Sequence, residues 1–341
     1  MTSRAGSRKA GTRKAGTFLK QRPFLKQRLR AETSKSETSK AGASESGVRG
    51  LSIRGRDGMT RRLSAVLKPR MIGQTVLFLV MAAASVLMLL PFFWMLSTSL
   101  KEPGAVFLFP PQWIPNPIHW RNYTRIFEVL PFGRFYWNSI VFAGSVTLLQ
   151  LVTCSFAGYA FARLRFPGRD ALFLGYLATL MIPGQVVIIP NFILLRWLGW
   201  IDTYQALILP NAFSAFGTFL LRQFFMTIPR ELEDAAKIDG CNYFGIYRYV
   251  IMPLSKPALT SLTVFTFLGQ WNNFIWPLIV INRVEMNTLT VGLRTLQGQY
   301  NTAWTLLMAG SVLALLPILV LFLLAQRTFI RGVTLSGMGG R

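Results

Sequence analysis

Acidic residues are scarce in this chain: 13 Asp and Glu stand against 37 Lys and Arg among 341 residues, a net charge of +24. None of the acidic residues falls inside a long apolar block. A proton-coupled carrier usually keeps a carboxylate at membrane depth as a relay, because an ionisable group there is costly and is retained for function. That class is disfavoured, whereas a sodium-coupled carrier working through carbonyls and hydroxyls is not excluded. Histidine is represented by His119 alone and cysteine by Cys154 and Cys241. A single loop histidine builds neither a nucleophile–base set nor a Cys/His metal cluster, so no catalytic residue and no metal site are expected. One cysteine lies in an apolar block and the other in a basic loop, which implies no disulfide framework. No G-x-x-x-x-G-K-[ST] phosphate loop occurs, so the chain carries no recognisable ATP site and no cofactor. It reads as a non-enzyme.

What the chain has is apolar residue: 52% is hydrophobic and 15% charged, where a soluble domain carries about 25% charged residues. A block of roughly 20 apolar residues spans a bilayer as a helix. Six blocks qualify, at residues 74–96, 137–161, 171–195, 204–225, 257–281 and 302–325. The expected fold is therefore an all-α integral membrane protein with six transmembrane helices. Pro183, Pro190, Pro210, Pro277 and Pro317 fall within these blocks. Proline is tolerated there because neighbours re-satisfy the freed carbonyls. Kinked helices around a pathway and ordinary membrane packing both fit.

The basic residues orient the bundle. They collect in the N-terminal tail, at Arg163, Arg165 and Arg169, at Arg230, Lys237, Arg248 and Lys256, and at Arg327 and Arg331. The alternate loops, 101–136, 196–203 and 282–301, are less basic. Positive loops stay inside, so both termini are expected in the cytoplasm of a multi-pass cell-membrane (inner or cytoplasmic membrane) protein. Trp113, Trp120, Trp137, Trp197 and Trp200 sit near the outer ends as interfacial anchors. This placement of charge points to membrane lipid, not nucleic acid. Residues 1–70 read as a disordered basic tail, 71–332 as the membrane domain and 333–341 as a short cytoplasmic tail. Within the first 58 residues RKAGT, FLKQR and ETSK each occur twice. That composition buries no core. It is either a basic tail on anionic lipid or sequence ahead of a true start at Met59.

The most distinctive loop runs Pro229-Arg-Glu-Leu-Glu-Asp-Ala-Ala-Lys-Ile-Asp-Gly240. It reads as a short helix. Pro229 suits a first turn, Glu231, Glu233 and Asp234 favour the positive end of the dipole, and Gly240 suits the left-handed position past the C-terminus. Ala235 and Ala236 leave one side slim. From the residues alone, a helix that enters a partner's groove and a capped surface helix fit equally.

The stretch Asp234-Ala-Ala-x3-Gly240-x9-Val250-x-Met252-Pro253 resembles the E-A-A-x3-G-x9-I-x-L-P loop of binding-protein-dependent ABC importer permeases. Asp234, Val250 and Met252 replace the usual residues with ones of like character. Further segments resemble the carbohydrate-uptake permeases similar to the second permease subunit of maltose transporters. These are Asn138-Ser139, Gly158-Tyr-Ala-Phe-Ala-Arg163 with Arg165-Phe-Pro-Gly168, Ile182-Pro-Gly-Gln185 with Ile189-Pro190, Leu221-Arg-Gln-Phe-Phe225, Gly269-Gln-Trp-Asn-Asn-Phe274 with Trp276-Pro277, and Gln326-Arg327 with Gly332. The end, Ser336-Gly-Met-Gly-Gly-Arg341, departs from the family's pattern.

The resemblance implies a type I ABC importer permease fold. It also implies that Glu233, Asp234, Ala235, Ala236, Gly240 and Pro253 couple the chain to an ATPase subunit. The implied partners are a second permease subunit in a heterodimer, an ATPase subunit dimer, and an extracellular or periplasmic solute-binding protein. The implied cargo is a sugar or oligosaccharide, with glycerol-phosphate or a polyol as the alternative. An ion-coupled secondary carrier is the alternative of another class.

Two further groups stand out. Gln270, Trp271, Asn272, Asn273 and Trp276 give the fifth block its densest neutral polarity. An unpaired amide facing lipid costs about 2–7 kcal/mol, so these side chains are expected to face the bundle interior, as a translocation pathway or as interhelical packing. In the outer loop Gly292, Gln297, Gly298 and Gln299 are candidates for a protrusion toward the solute-binding protein; an idle loop is the other reading.

Overall fold

The computed structural model describes residues 55–298 and 302–338, with side chains over 73–298 and 302–326. The repeats of residues 1–54, Gln299 and the side chains of Arg327 and Arg331 lie outside the described residues. The chain parts into two units at Ala82 and Ala83. The described part of the first is helical. The second holds every side-chain contact and cavity described below.

All regular structure among the described residues is helical: α1 (Gly55–Ser99), α2 (Asn122–Val129), α3 (Phe132–Arg163), α4 (Arg169–Ala178), α5 (Gly184–Trp197), α6 (Tyr204–Ile208), α7 (Ala215–Thr227), α8 (Arg230–Ile238), α9 (Tyr243–Ile246), α10 (Met252–Leu254), α11 (Lys256–Trp271), α12 (Ile275–Val280), α13 (Leu289–Arg294) and α14 (Trp304–Met338). Three unbroken segments are long and apolar enough to cross a membrane: Gly73–Ser99, Phe132–Arg163 and Trp304–Gln326. Three more pass only as bent pairs: Arg169–Met181 with Gly184–Trp197 at 97°, Tyr204–Asn211 with Ala215–Thr227 at 43°, and Tyr243–Leu254 with Lys256–Trp271 at 77°.

Each bend has a local cause. Pro183 sits just ahead of α5 in an extended conformation (ψ 132°), which a proline and the residue before it favour over the helical one. Pro210 falls in the tight turn at Leu209–Asn211, and Ser214 then restarts the helix by accepting the Gly217 amide at 3.0 Å. Pro253 and Pro257 flank the break at Ser255, whose hydroxyl bonds back to the Ile251 carbonyl at 2.7 Å.

The expectation of one helix through 257–281 is corrected. Helix α11 ends at Trp271, and its long partner lies upstream, in 243–254. Short polar side chains compete with the ladder for backbone groups. The Asn272 amide donates to the Leu268 carbonyl at 3.0 Å, and the Asn273 side-chain oxygen accepts from the Trp276 amide at 3.3 Å.

Helix α3 is the centre of the bundle. Its buried residues recur three or four apart, from Phe135 through Asn138, Phe142, Val146, Gln150 and Cys154 to Gly158 and Ala162, which is one face of a helix. Toward its C-terminal end it packs with α7 and α11 around Leu221, Phe225, Ile251 and Leu262. Toward its N-terminal end it packs with α11, α13 and α14 around Phe132, Trp271, Leu289 and Leu306. A third cluster joins Phe142 and Val146 to Leu207, Trp276 and Val280.

The polar members of the stripe bind backbone on other segments. Gln150 donates to the Asn211 carbonyl at 2.7 Å and accepts from the Thr266 hydroxyl at 2.9 Å. Thr153 donates to the Ala212 carbonyl at 2.8 Å, and Cys154 to that of Ser214 at 3.4 Å. All three carbonyls lie at the bend before α7, where that of Ser214 also accepts the Thr218 amide at 3.0 Å. Nearer the start of α3, the Asn138 amide reaches the carbonyls of Glu285 and Asn287, and the Ser139 hydroxyl accepts the Leu289 amide at 2.7 Å.

Two loops are held more tightly than their composition suggests. Lys101 is 1% exposed, with its ammonium 4.0 Å from the centre of the Trp94 ring; burial lowers its pKa. Asp202 adopts φ +63° and accepts the Asn282 and Arg283 amides, joining residues 199–203 to residues 281–283. Burial pushes its carboxyl up, and those hydrogen bonds outweigh the push and hold it below the usual carboxylate range.

A side chain at Gly217 would meet Cys154 Sγ and Leu262 Cδ1 at 2.9 Å each, whereas one at Gly269 would meet nothing within 4 Å. Overpacking of this kind costs about 1–3 kcal/mol. Gly217→Val is therefore expected to lower the thermal transition of the detergent-purified protein clearly, with Gly269→Ala leaving it in place. Equal transitions for the two variants would contradict the close approach of α3, α7 and α11.

Candidate functional site

The loop after α7 folds into α8, as its composition indicates, one residue later than expected: Pro229 is the capping residue and Arg230 the first helical one. Its end is closed by a complete Schellman arrangement. Gly240 takes φ +86°, its amide donates to the Lys237 carbonyl at 3.0 Å, and the Cys241 amide donates to that of Ala236 at 2.9 Å. A side chain at this φ would be strained, which is the physical need for glycine.

One face of α8 is fastened to its own chain. Glu233 is 8% exposed and its carboxylate lies 2.8 Å from Arg163 Nε at the last turn of α3. The same guanidinium donates to the carbonyls of Phe225 and Ile228 at the end of α7. Arg163 thus ties three elements, α3, α7 and α8. Ala236 sits beside Glu233 on the inward face, in the core formed with Cys154, Phe225 and Ile251. Tyr159, one turn before Arg163, donates its hydroxyl to the Tyr243 carbonyl at 3.2 Å, and Ser155 shares a 2.7 Å hydrogen bond with the Tyr247 hydroxyl. The chain from 241 to 254 is thereby pinned as well, through α9 and a π-helical turn at Tyr247–Ile251.

The other face is bare. Ile238 is 87% exposed and Leu232 44%. Asp234 and Ala235 lie between them, also exposed. Lys237 donates to Asp234 at 2.8 Å; this bond holds the Asp234 carboxyl below its usual range and the Lys237 ammonium above its own. Beyond the glycine, Tyr243, Phe244 and Tyr249 are exposed too. A cavity of about 400 Å³ opens between Tyr159, Arg163, Asp234, Lys237 and Tyr243.

The six expected coupling residues therefore separate by role. Asp234, Ala235 and Gly240 are on the open surface. Glu233 and Ala236 are buried and face inward. Pro253 is exposed in the first turn of α10, at the bend before α11. Arg163 was legible only as an orienting charge and as part of a resembling segment. Its pairing with Glu233 needs a fold that joins residues far apart in the chain.

The five candidate pathway residues divide as well. Trp271 and Trp276 are buried, with their indole N–H groups donating to the carbonyls of Ala314 and Ala206 at 3.1 Å each. Trp271 stacks on Phe267 and packs edge-on to Tyr136. Both tryptophans are packing residues. Asn272 is exposed, Gln270 and Asn273 half-buried and bonded to each other at 3.1 Å. Asn272, Thr290 and Ser311 line a small, mainly apolar cavity of about 210 Å³ with Met95 and Leu315.

In the outer loop Gly292 is buried, and a side chain there would lie 2.1 Å from the Phe135 ring. It lets α13 seat against α3 and offers no surface. Gln297 and Gly298 are exposed next to the single Gln297–Thr302 bridge, and Gln299 lies outside the described residues. Among the described residues no three His, Cys, Asp or Glu side chains gather as a metal site would require.

Residues 154–335 match the family described as binding-protein-dependent transport system inner membrane component. The chain is 37% identical to the arabinooligosaccharides transport system permease protein AraQ of Bacillus subtilis (strain 168), over 79% of this chain and 96% of that one. It is 38% identical to the protein of the same description from Halalkalibacterium halodurans, over 72% and 86%. It is 35% identical to the sn-glycerol-3-phosphate transport system permease protein UgpE of Yersinia enterocolitica, over 72% and 91%. Among solved structures, the fold is similar to a chain of a bacterial ABC transporter involved in the import of the acidic polysaccharide alginate, with a TM-score of 0.67 at 23% identity, over 83% of this chain and 100% of that one.

Breaking a buried ion pair by removing one partner costs about 3–5 kcal/mol. Glu233→Gln should therefore speed amide exchange across residues 230–240 by at least about tenfold, since each 1.4 kcal/mol of lost protection is a factor of ten. Exchange in the body of α3 should not change. Unchanged rates in α8 would show that the Arg163 contact does not hold it.

Proposed function

Because the chain belongs to the family of binding-protein-dependent transport system inner membrane components, we propose that it is one permease subunit of an ATP-driven importer that carries a sugar or oligosaccharide inward. It is a transport subunit and not an enzyme; ATP is hydrolysed by a separate subunit. The observation that carries this reading is α8: a short helix clamped to the bundle from within by Arg163 and Glu233, presenting Leu232, Asp234, Ala235 and Ile238 outward.

In this reading the three unbroken segments and the three bent pairs make six spans, with both termini cytoplasmic. The basic loops then lie inside, and so does α8, where an ATPase dimer would grip it. A second permease subunit completes a heterodimer. From Ala83 onward α1 keeps Val86, Leu87, Met88 and Leu89 on its surface, and α4 and α5 are exposed over most of their length. These apolar faces suit lipid and the second permease. A solute-binding protein delivers cargo at the outer end, next to Gln297 and Gly298. Gln270, Asn272 and Asn273 are the residues of the original five best placed to meet it. ATP must bind the two global states of the assembly unequally to drive the exchange between inward-open and outward-open forms.

The cargo class follows the relatives named for arabinooligosaccharides. Those named for sn-glycerol-3-phosphate support a second reading. Thermal-shift screening of the cognate binding protein separates the two: stabilisation by oligosaccharides and not by sn-glycerol-3-phosphate is expected, and the reverse result would overturn the sugar assignment.

At the inner face, Gly240→Pro removes a backbone donor and forbids φ +86°, and Asp234→Lys reverses a charge on the open face. Each is expected to reduce uptake at least about tenfold, the equivalent of 1.4 kcal/mol, while ATP hydrolysis continues and membrane insertion is unaffected. Full uptake in both variants would rule out α8 as the coupling element.

A further inference from the structure

The loop between α3 and α4 has properties that the coupling role does not use. Helix α3 passes the span criteria up to Arg163, and the next bent pair passes from Arg169. Residues 164–168 therefore lie, on the membrane reading above, at the depth of lipid headgroups. A depression of about 550 Å³ opens there, lined by Arg165, Phe166, Gly168, Arg169, Asp170 and Arg230. Its charge is unbalanced. Asp170 is taken by Arg169, at 2.9 Å, and more distantly by Arg222, at 4.0 Å. Arg222 is itself committed, with its guanidinium 4.1 Å from the centre of the Phe173 ring and its Nε donating to the Phe161 carbonyl at 3.3 Å. Arg165 and Arg230 are both exposed, and among the described residues neither side chain has an ion pair or hydrogen bond, although the Arg230 charge is felt by Asp234. Two guanidiniums without a bonded partner among the described residues thus face one opening, from different segments, beside Arg169, which is held bidentately by Asp170 and donates to the Leu164 carbonyl at 3.4 Å.

The surroundings distinguish the ligand. Directly beyond the depression, α4 exposes Leu172 at 61% and Leu174 at 69%, and Phe166 is exposed at its edge. A guanidinium fork matches phosphate oxygens in bidentate geometry, and basic pockets between spans on the cytoplasmic side take anionic lipid headgroups. We propose that Arg165, Arg169 and Arg230 form a binding site for the phosphodiester headgroup of an anionic phospholipid, whose acyl chains lie along the apolar face of α4. Arg230 is the first residue of α8, so a lipid held here also braces the start of that helix.

The test uses the whole transporter complex, purified from membranes and reconstituted in phosphatidylcholine vesicles with or without phosphatidylglycerol. Native mass spectrometry counts the lipids retained. Wild type is expected to keep one more phosphatidylglycerol per chain than the R165Q/R230Q double variant, with phosphatidylcholine retention equal. R165K/R230K should hold the lipid, but release it at lower salt because a point charge replaces the fork. Equal phosphatidylglycerol retention in wild type and R165Q/R230Q overturns the proposal. So does inorganic phosphate displacing the bound lipid completely, which would assign the site to a free anion. Loss of the ATPase subunit from R165Q/R230Q with lipid retention unchanged would instead assign the arginines to a protein contact. None of these readouts depends on which solute is carried, so they stand or fall separately from the sugar assignment.

Discussion

Inside a bilayer every backbone N–H and C=O must find a partner within the protein, because no water is there to take its place. The rest of this fold depends on how that demand is met at the bends. Unbroken helices meet it internally. The segments 169–197, 204–227 and 243–271 do not, since each is interrupted. Helix α3 supplies what is missing for the second of them: Gln150 and Thr153 donate to the carbonyls of Asn211 and Ala212, and Cys154 adds a second donor to that of Ser214. An unpaired group there would cost about 2–7 kcal/mol. This break falls beside a polar stripe aimed at it, and the stripe fixes which face of α3 is central.

The same helix reaches the surface at Arg163, and the logic continues. The guanidinium donates to the last carbonyls of α7 and pairs with the Glu233 carboxylate. A buried charge is tolerable only when paired and hydrogen-bonded, and here the pairing also fastens α8 to α3 and α7. The Schellman closure at Gly240 fixes the other end of α8.

The polar cluster after α11 shows how one composition serves two purposes. Trp271 and Trp276 satisfy their N–H groups on Ala314 and Ala206 and bring α11 and α12 against α14 and α6. The amides beside them cap the broken helix and leave Asn272 open to a cavity. Aromatic residues with a polar handle are natural packing pieces when their donor is met by a carbonyl.

The apolar blocks, the basic loops and the spacing from Asp234 to Pro253 are local in the chain. The sequence by itself therefore determined the helical membrane class, the absence of a recognisable phosphate loop, the position of α8, and the glycine at its C-terminus. Periodicity could not place the break at Asn272, because the apolar content continues through residue 281 while the interruption is made by side chains bonding back to their own helix. Nor could it assign the two faces of α8. Glu233 and Asp234 are adjacent acids with the same chemistry, and only the arrival of Arg163 from a helix 70 residues away in the chain decides that one is a buried anchor and the other a surface group. Gly292 is the same case in reverse: a flexible-looking loop glycine whose role is set by the Phe135 ring lying against it. Contacts between residues distant in sequence carry no signature in either segment alone, so the tertiary structure had to decide them.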